Sequence, residues 1–137
     1  MINQLVTSFL LIIFVISFTP SQINATTNEL PECVVITHCV RENIKVRDLE
    51  KAFKKATRII SETPRTKIVE RTNSYIHAEA KTKWRRYTDD LLVKAIPDKE
   101  IIQVRSESRV GIGDNGVNQR RVDDFAYRLM TESDVSS

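Results

Sequence analysis

Glycine is scarce in this chain of 137 residues: there are three, Gly111, Gly113 and Gly116, gathered in one short stretch. Histidine and cysteine occur twice each and tryptophan once. So few imidazoles and thiols cannot furnish a metal site without carboxylates drawn from several elements, and neither a metal nor a cofactor is expected. Neither sign of charge dominates. The 21 basic and 18 acidic side chains are interspersed and leave a net charge of +3, which excludes the strong single-sign field of a nucleic-acid-binding surface. Internal repeats and low-complexity segments are absent, and the length suits one domain.

Charge is missing altogether from residues 1–25. There, "MINQLVTSFLLIIFVISFTPSQINA" is apolar from Leu5 to Phe18 and ends in polar and small residues, with Ile23 and Ala25 as a cleavage pair. This is the layout of a secretory signal peptide. The alternative is an uncleaved membrane anchor, but the run falls short of the roughly 20 residues that span a bilayer, and Thr7, Ser8 and Ser17 interrupt it. The expected organisation is a signal peptide at 1–25, a cysteine-containing segment at 26–45, a folded domain at 46–131 and a polar tail at 132–137. The expected location is a periplasm, a thylakoid lumen or the extracellular space. In such an oxidising compartment the isolated pair in "CVVITHC", Cys33 and Cys39, serves naturally as a local disulfide. A zinc site with His38 between the thiols would lack four ligands at a recognised spacing.

Val46, Leu49, Phe53, Ala56 and Ile60 recur at intervals of three and four, predicting a helix over 45–61 that Pro64 stops. Four strand-like runs follow, "TKIVERT", "SYIHAEAKT", "DDLLVKAIP" and "EIIQVRSES", with short polar breaks suited to antiparallel hairpins. Val122, Phe125, Ala126, Leu129 and Met130 predict a second amphipathic helix with Asp114 or Asn115 as its N-cap. The expected fold is α+β: a four-stranded antiparallel meander with two helices packed on one face. Alternation then aims Ile76, Ala78, Ala80, Leu91, Val93, Ala95, Ile102, Val104 and Ser106 at the core. Tyr75, His77, Glu79, Asp90, Leu92, Gln103, Arg105 and Glu107 are left on a solvated outer face.

The glycines have the spacing Gly111-x-Gly113-x-x-Gly116 of a dinucleotide-binding fingerprint. That fingerprint needs a parallel βαβ unit and an acidic residue about 20 positions further on. Here the second helix is the last element, so no strand remains to complete the unit. Tight turns with positive φ between strand and helix are the expected use of these glycines.

The same stretch, "RSESRVGIGDNGVNQRRVD", preceded by "YIHAEAKT" and "DD", resembles the domain of unknown function 1499 family, small and often exported bacterial and plastid proteins. The resembling residues are Tyr75, His77 and Glu79; Asp89 and Asp90; Arg105, Ser106, Ser108, Arg109 and Gly111; Asp114, Gly116 and Asn118; Arg121 and Val122. The spacing of Cys33 and Cys39 also resembles the family's amino-terminal Cys-Pro-x-Ser-Pro-Asn-Cys, although "VVITH" lacks its prolines and asparagine. The resemblance implies kinship and brings no activity with it.

Three functions remain open. A non-catalytic binding or assembly module would use Arg105, Arg109, Asp114, Asn118 and Arg121 around the amino end of the last helix to hold a small anionic ligand. The structural alternative is a buried polar network that fixes the strand-to-helix junction, with Asp114 capping the helix, Asn118 bonding back into the turn, and Arg105 and Arg109 paired with Asp89, Asp90 or Glu79. A hydrolase-like enzyme would use His77 as general base, Glu79 or Asp90 as its orienting carboxylate, and Arg105 against negative charge, but no nucleophile with a matching base is evident. An interaction role with an envelope or lumen protein, or with acidic lipid, would use Trp84 and its basic neighbours in "KTKWRRY".

Overall fold

The computed structural model describes residues 28–111 and 113–131; the segment read as a signal peptide and the polar tail lie outside them. Five strands and two helices follow in the order β1 (Cys39–Lys45), α1 (Leu49–Glu62), β2 (Thr66–Arg71), β3 (Tyr75–Lys81), β4 (Thr88–Ile96), β5 (Ile101–Ser108) and α2 (Val117–Thr131). A single 3-10 turn, Pro97–Lys99, joins β4 to β5. All pairings are antiparallel and the strand order is β1-β5-β4-β3-β2. The expected meander is therefore present as β2 to β5, and a fifth strand is added at its far edge. Sequence pattern did not mark β1 because only Cys39 and Ile44 of "CVRENIK" are buried.

Helix α1 carries the chain across one face of the sheet, from β1 at one edge to β2 at the other. It starts at Leu49 rather than 45 because Ile44 and Lys45 pair with β5 and the Asp48 carboxylate accepts from Lys51 N–H, capping the first turn. Phe53, Ala56 and Ile60 join Ile59 in the core, with Val46 and Leu49 packed at its margin. From α2, Val122, Phe125 and Leu129 enter the same core. Met130, expected there too, stands exposed, since its neighbour Leu129 holds the core position.

Alternation along β3 and β4 is as expected, and every inward apolar residue of β3, β4 and β5 named above is buried. The outer face departs from expectation at β5, where Gln103 and Arg105 are buried as well. Residues 28–33 lie over this part of the sheet as a strap. Leu30 is buried, its N–H donates to Gln103 Oε1 at 2.5 Å, and its carbonyl accepts from Arg41 at 2.5 Å. Glu29 pairs with Lys99 and accepts from Gln103. A disulfide between Cys33 and Cys39 ties the strap to the start of β1.

With antiparallel pairing throughout, the dinucleotide reading has no structural basis. Gly111 and Gly116 do adopt positive φ, 106° and 74°, where a side chain would be strained.

Candidate functional site

The charged residues grouped by the sequence reading lie on two sides of one sheet. Neighbours along a strand point to opposite faces, so "DD" sends Asp89 towards the helices and Asp90 away from them. "RSESR" likewise sends Ser106 and Ser108 inward and Arg105 and Glu107 outward.

On the helix side, Asp89 is 1 % exposed and accepts from Arg121 Nη2 at 2.8 Å. Arg121 Nη1 also donates to Ser106 Oγ and to Asn118 Oδ1, at 2.9 and 2.8 Å. Asn118 is fully buried. Its Oδ1 accepts from Ser106 Oγ at 2.6 Å, and its Nδ2 donates to Ser108 Oγ and to the His38 carbonyl, both at 2.9 Å. Asp114 caps α2 from just outside it, accepting from the N–H groups of Asn118 and Gly116 at 2.7 and 2.9 Å. The bonds of Arg121 to Asp89 and Ser106, and of Asn118 to Ser106, Ser108 and the His38 carbonyl, join different elements, so the network fastens the end of β5, the start of β4, the cysteine loop and the start of α2 in one register.

On the outer face, His77 Nε2 lies 2.6 Å from Asp90 Oδ1. Arg109 clasps the same carboxylate with Nε and Nη2 at 2.8 and 2.7 Å, and Nη2 reaches Glu79 at 2.7 Å. This side-on fork is the strong geometry for guanidinium and carboxylate, though its exposure to solvent limits its contribution to stability. Arg105 pairs with Glu107 at 2.7 Å. It is 8 % exposed, and its Nε has no hydrogen-bond partner. Across the ladder stands Arg41, held by Glu32 at 2.5 Å and Glu29 at 3.6 Å. A groove of about 550 Å³ runs beside β1, with Arg41, Asn43 and Gln119 in its wall.

Of the five residues suggested for an anion site, Asp114, Asn118 and Arg121 therefore meet on the helix side, while Arg105 and Arg109 lie on the other face. His77, Glu79 and Asp90 do come together, with Arg109 rather than Arg105 as their cation. The sequence reading offered Asp89 as a partner of Arg105 or Arg109 and missed its pairing with Arg121, and it missed the roles of Ser106, Ser108, Arg41 and Gln103. Strand parity was a usable signal for Asp89: a carboxylate at a core-facing position needs a buried partner.

Hydrogen bonds from Arg109, with His77 adding to them, hold the Asp90 carboxyl below the usual carboxylate range. Burial pushes the Asp114 carboxyl up, but the N–H groups of Asn118 and Gly116 outweigh it and the net direction is down. Folded values below unfolded ones contribute stability that is present above the unfolded pKa, near 4, and lost as pH falls through the folded value. The melting temperature is expected to stay level from about pH 8 to 5 and to drop below about pH 4. Asp114→Asn, which keeps a capping side chain and removes its titration, should flatten that drop in a pH series of thermal melts.

Among the described residues no group of three or more His, Cys, Asp and Glu side chains is placed to hold a metal ion. No described helix is long and apolar enough to cross a membrane. Among curated proteins no relative matches the chain. Its sequence matches the family described as Protein of unknown function (DUF1499) over residues 19–129, and the chain belongs to that family.

Proposed function

We propose that this domain is exported by a cleaved amino-terminal signal and acts as a non-catalytic binding module whose working surface is the outer face of the sheet around Arg105. The observation that carries this reading is the state of Arg105: almost wholly buried, facing Arg41 across the ladder, with Nε unsatisfied and Nη2 against Glu107. A desolvated guanidinium donor without an acceptor is costly, and a carboxylate or phosphate oxygen meets that need. Arg109, four residues after Arg105 and on the same face of the sheet, borders the site. In this reading Asp114, Asn118 and Arg121 act indirectly, by fixing the junction at which β5 ends. The Cys33–Cys39 disulfide supports an oxidising compartment.

The test uses protein recovered from an exporting host, whose mass should show loss of residues 1–25 and of two cysteine hydrogens. Inorganic phosphate, titrated calorimetrically, should bind to the wild type. Arg105→Leu should keep the fold and lose that binding. A large fall in melting temperature with binding intact would make Arg105 structural and overturn the reading.

The contact between His77 and Asp90 favours one second reading, hydrolysis with an imidazole base oriented by a carboxylate. Hydrolysis of a model ester that is lost in His77→Gln would support it, and an inert wild type would remove it.

A further inference from the structure

Six exposed apolar side chains gather at one end of the sheet: Val34, Val35 and Ile36 in the disulfide-closed loop, Trp84 and Tyr87 between β3 and β4, and Val110 after β5. The antiparallel register brings these loops together, because Cys39 opposes Glu107, Asp89 opposes Ser108 and Lys81 opposes Thr88. Backbone bonds connect them. Ser108 N–H donates to the His38 carbonyl at 3.0 Å, and Arg109 N–H to the Thr88 carbonyl at 3.5 Å. Val34, Ile36 and Trp84 are 89, 82 and 86 % exposed, so they stand out as tips and do not pack back on the sheet. The disulfide and these bonds hold the tips in place before any contact is made.

Five exposed cations surround them: Arg65, Lys81, Lys83, Arg85 and Arg86. Lys81 N–H bonds the Arg65 carbonyl, which places the turn before β2 at the same end. None of the three loops, 34–38, 82–87 and 109–113, contains an acidic residue. None of the five cations takes part in an ion pair among the described residues, and Lys83 lies over the Trp84 ring at 5.2 Å. Separate apolar tips ringed by lysine and arginine differ from a protein interface, whose core is a contiguous patch depleted of lysine. They match a headgroup layer, where aliphatic and indole groups enter the acyl boundary and cations meet phosphates.

From this arrangement we infer that the three-loop end of the sheet docks on an anionic lipid surface. Val34, Ile36, Val110 and Trp84 enter the headgroup region, and Arg65, Lys83, Arg85 and Arg86 neutralise lipid phosphates. The surface is separate from the outer sheet face and does not depend on the binding proposed there.

Trp84 is the only tryptophan in the chain, so its emission reports this loop whether or not the amino-terminal apolar segment also associates. With the full chain, vesicles of equimolar phosphatidylglycerol and phosphatidylcholine should shift Trp84 emission to the blue. Phosphatidylcholine alone should not, and about 0.5 M salt should reverse the shift. Arg85→Glu with Arg86→Glu should weaken the apparent affinity by about tenfold or more. Val34→Asp with Ile36→Asp, in a different loop, should weaken it as well. The inference is overturned by an absent shift with anionic vesicles, by an equal shift with neutral ones, or by a shift produced by free glycerol phosphate. Binding that ignores Val34 and Ile36 also overturns it, by reducing the surface to one loop.

Discussion

Arg121→Leu is expected to cost about 3–5 kcal/mol of stability, because it strands the buried Asp89 carboxylate without its cation. Asp89 is 1 % exposed and its Oδ1 already has no hydrogen-bond partner, so Arg121 is its one compensating group among the described residues. The same substitution removes donors from Ser106 Oγ and Asn118 Oδ1. Removing both charges behaves differently, since a buried pair exchanged for apolar groups is often close to neutral. The double variant Arg121→Leu with Asp89→Ala should therefore be destabilised by less than the sum of the two single variants. Denaturant melts of all four proteins measure that coupling, and additivity would mean that the pair is not energetically linked.

Cys33→Ala with Cys39→Ala is the second large effect. Closing so short a loop contributes about 2 kcal/mol through the unfolded chain, and the disulfide also tethers the strap that places Leu30 over β5. Once the tether is gone, the hydrogen bonds of Leu30, Gln103, Arg41 and Glu29 must hold the strap alone. A loss of about 2–3 kcal/mol is expected, with part of the Leu30 burial adding to the entropic term. Hydrogen exchange locates the effect. Protection at Leu30 N–H should fall well before that of β3 and β4, and uniform loss across the sheet would show that strap and sheet unfold together.

The two helices and four of the five strands could be read from the chain because each carries a local period. Phe53, Ala56 and Ile60 repeat at helical spacing, and Ile76, Ala78 and Ala80 at strand spacing. Strand β1 could not be read in that way. It is an edge strand whose partner lies about 60 residues away in the sequence, as Arg41 opposite Arg105 shows, and Glu42 interrupts its inward apolar face. The strap was hidden for a similar reason: Leu30 is one apolar residue in a polar stretch, and its burial depends on Gln103.

The candidate site was harder to read than the fold because its motif groups Arg105 and Arg109 with Asp114, Asn118 and Arg121, although strand alternation alone sets Arg105 on the outer face and Ser106 on the core side. Pleating separates Asp89 from Asp90 and Ser106 from Arg105, so a compact motif becomes a buried fastening on one face and a charged cluster on the other. The contact of His77 with Asp90 followed from parity and strand order together. The pairing of Arg109 with Asp90 and Glu79 is one of those open to the arginines in the network alternative, and Arg109 shares the parity of Arg105 and Glu107.

This division of labour between the faces is the central claim, and thermal melts of Arg105→Leu and Arg121→Leu with and without inorganic phosphate test it most directly. Arg121→Leu should lower the melting temperature by roughly 10 °C or more and keep the phosphate-induced rise. Arg105→Leu should stay near the wild-type melting temperature and lose that rise. The opposite pattern, with Arg105 needed for stability and Arg121 for the phosphate response, would contradict the account.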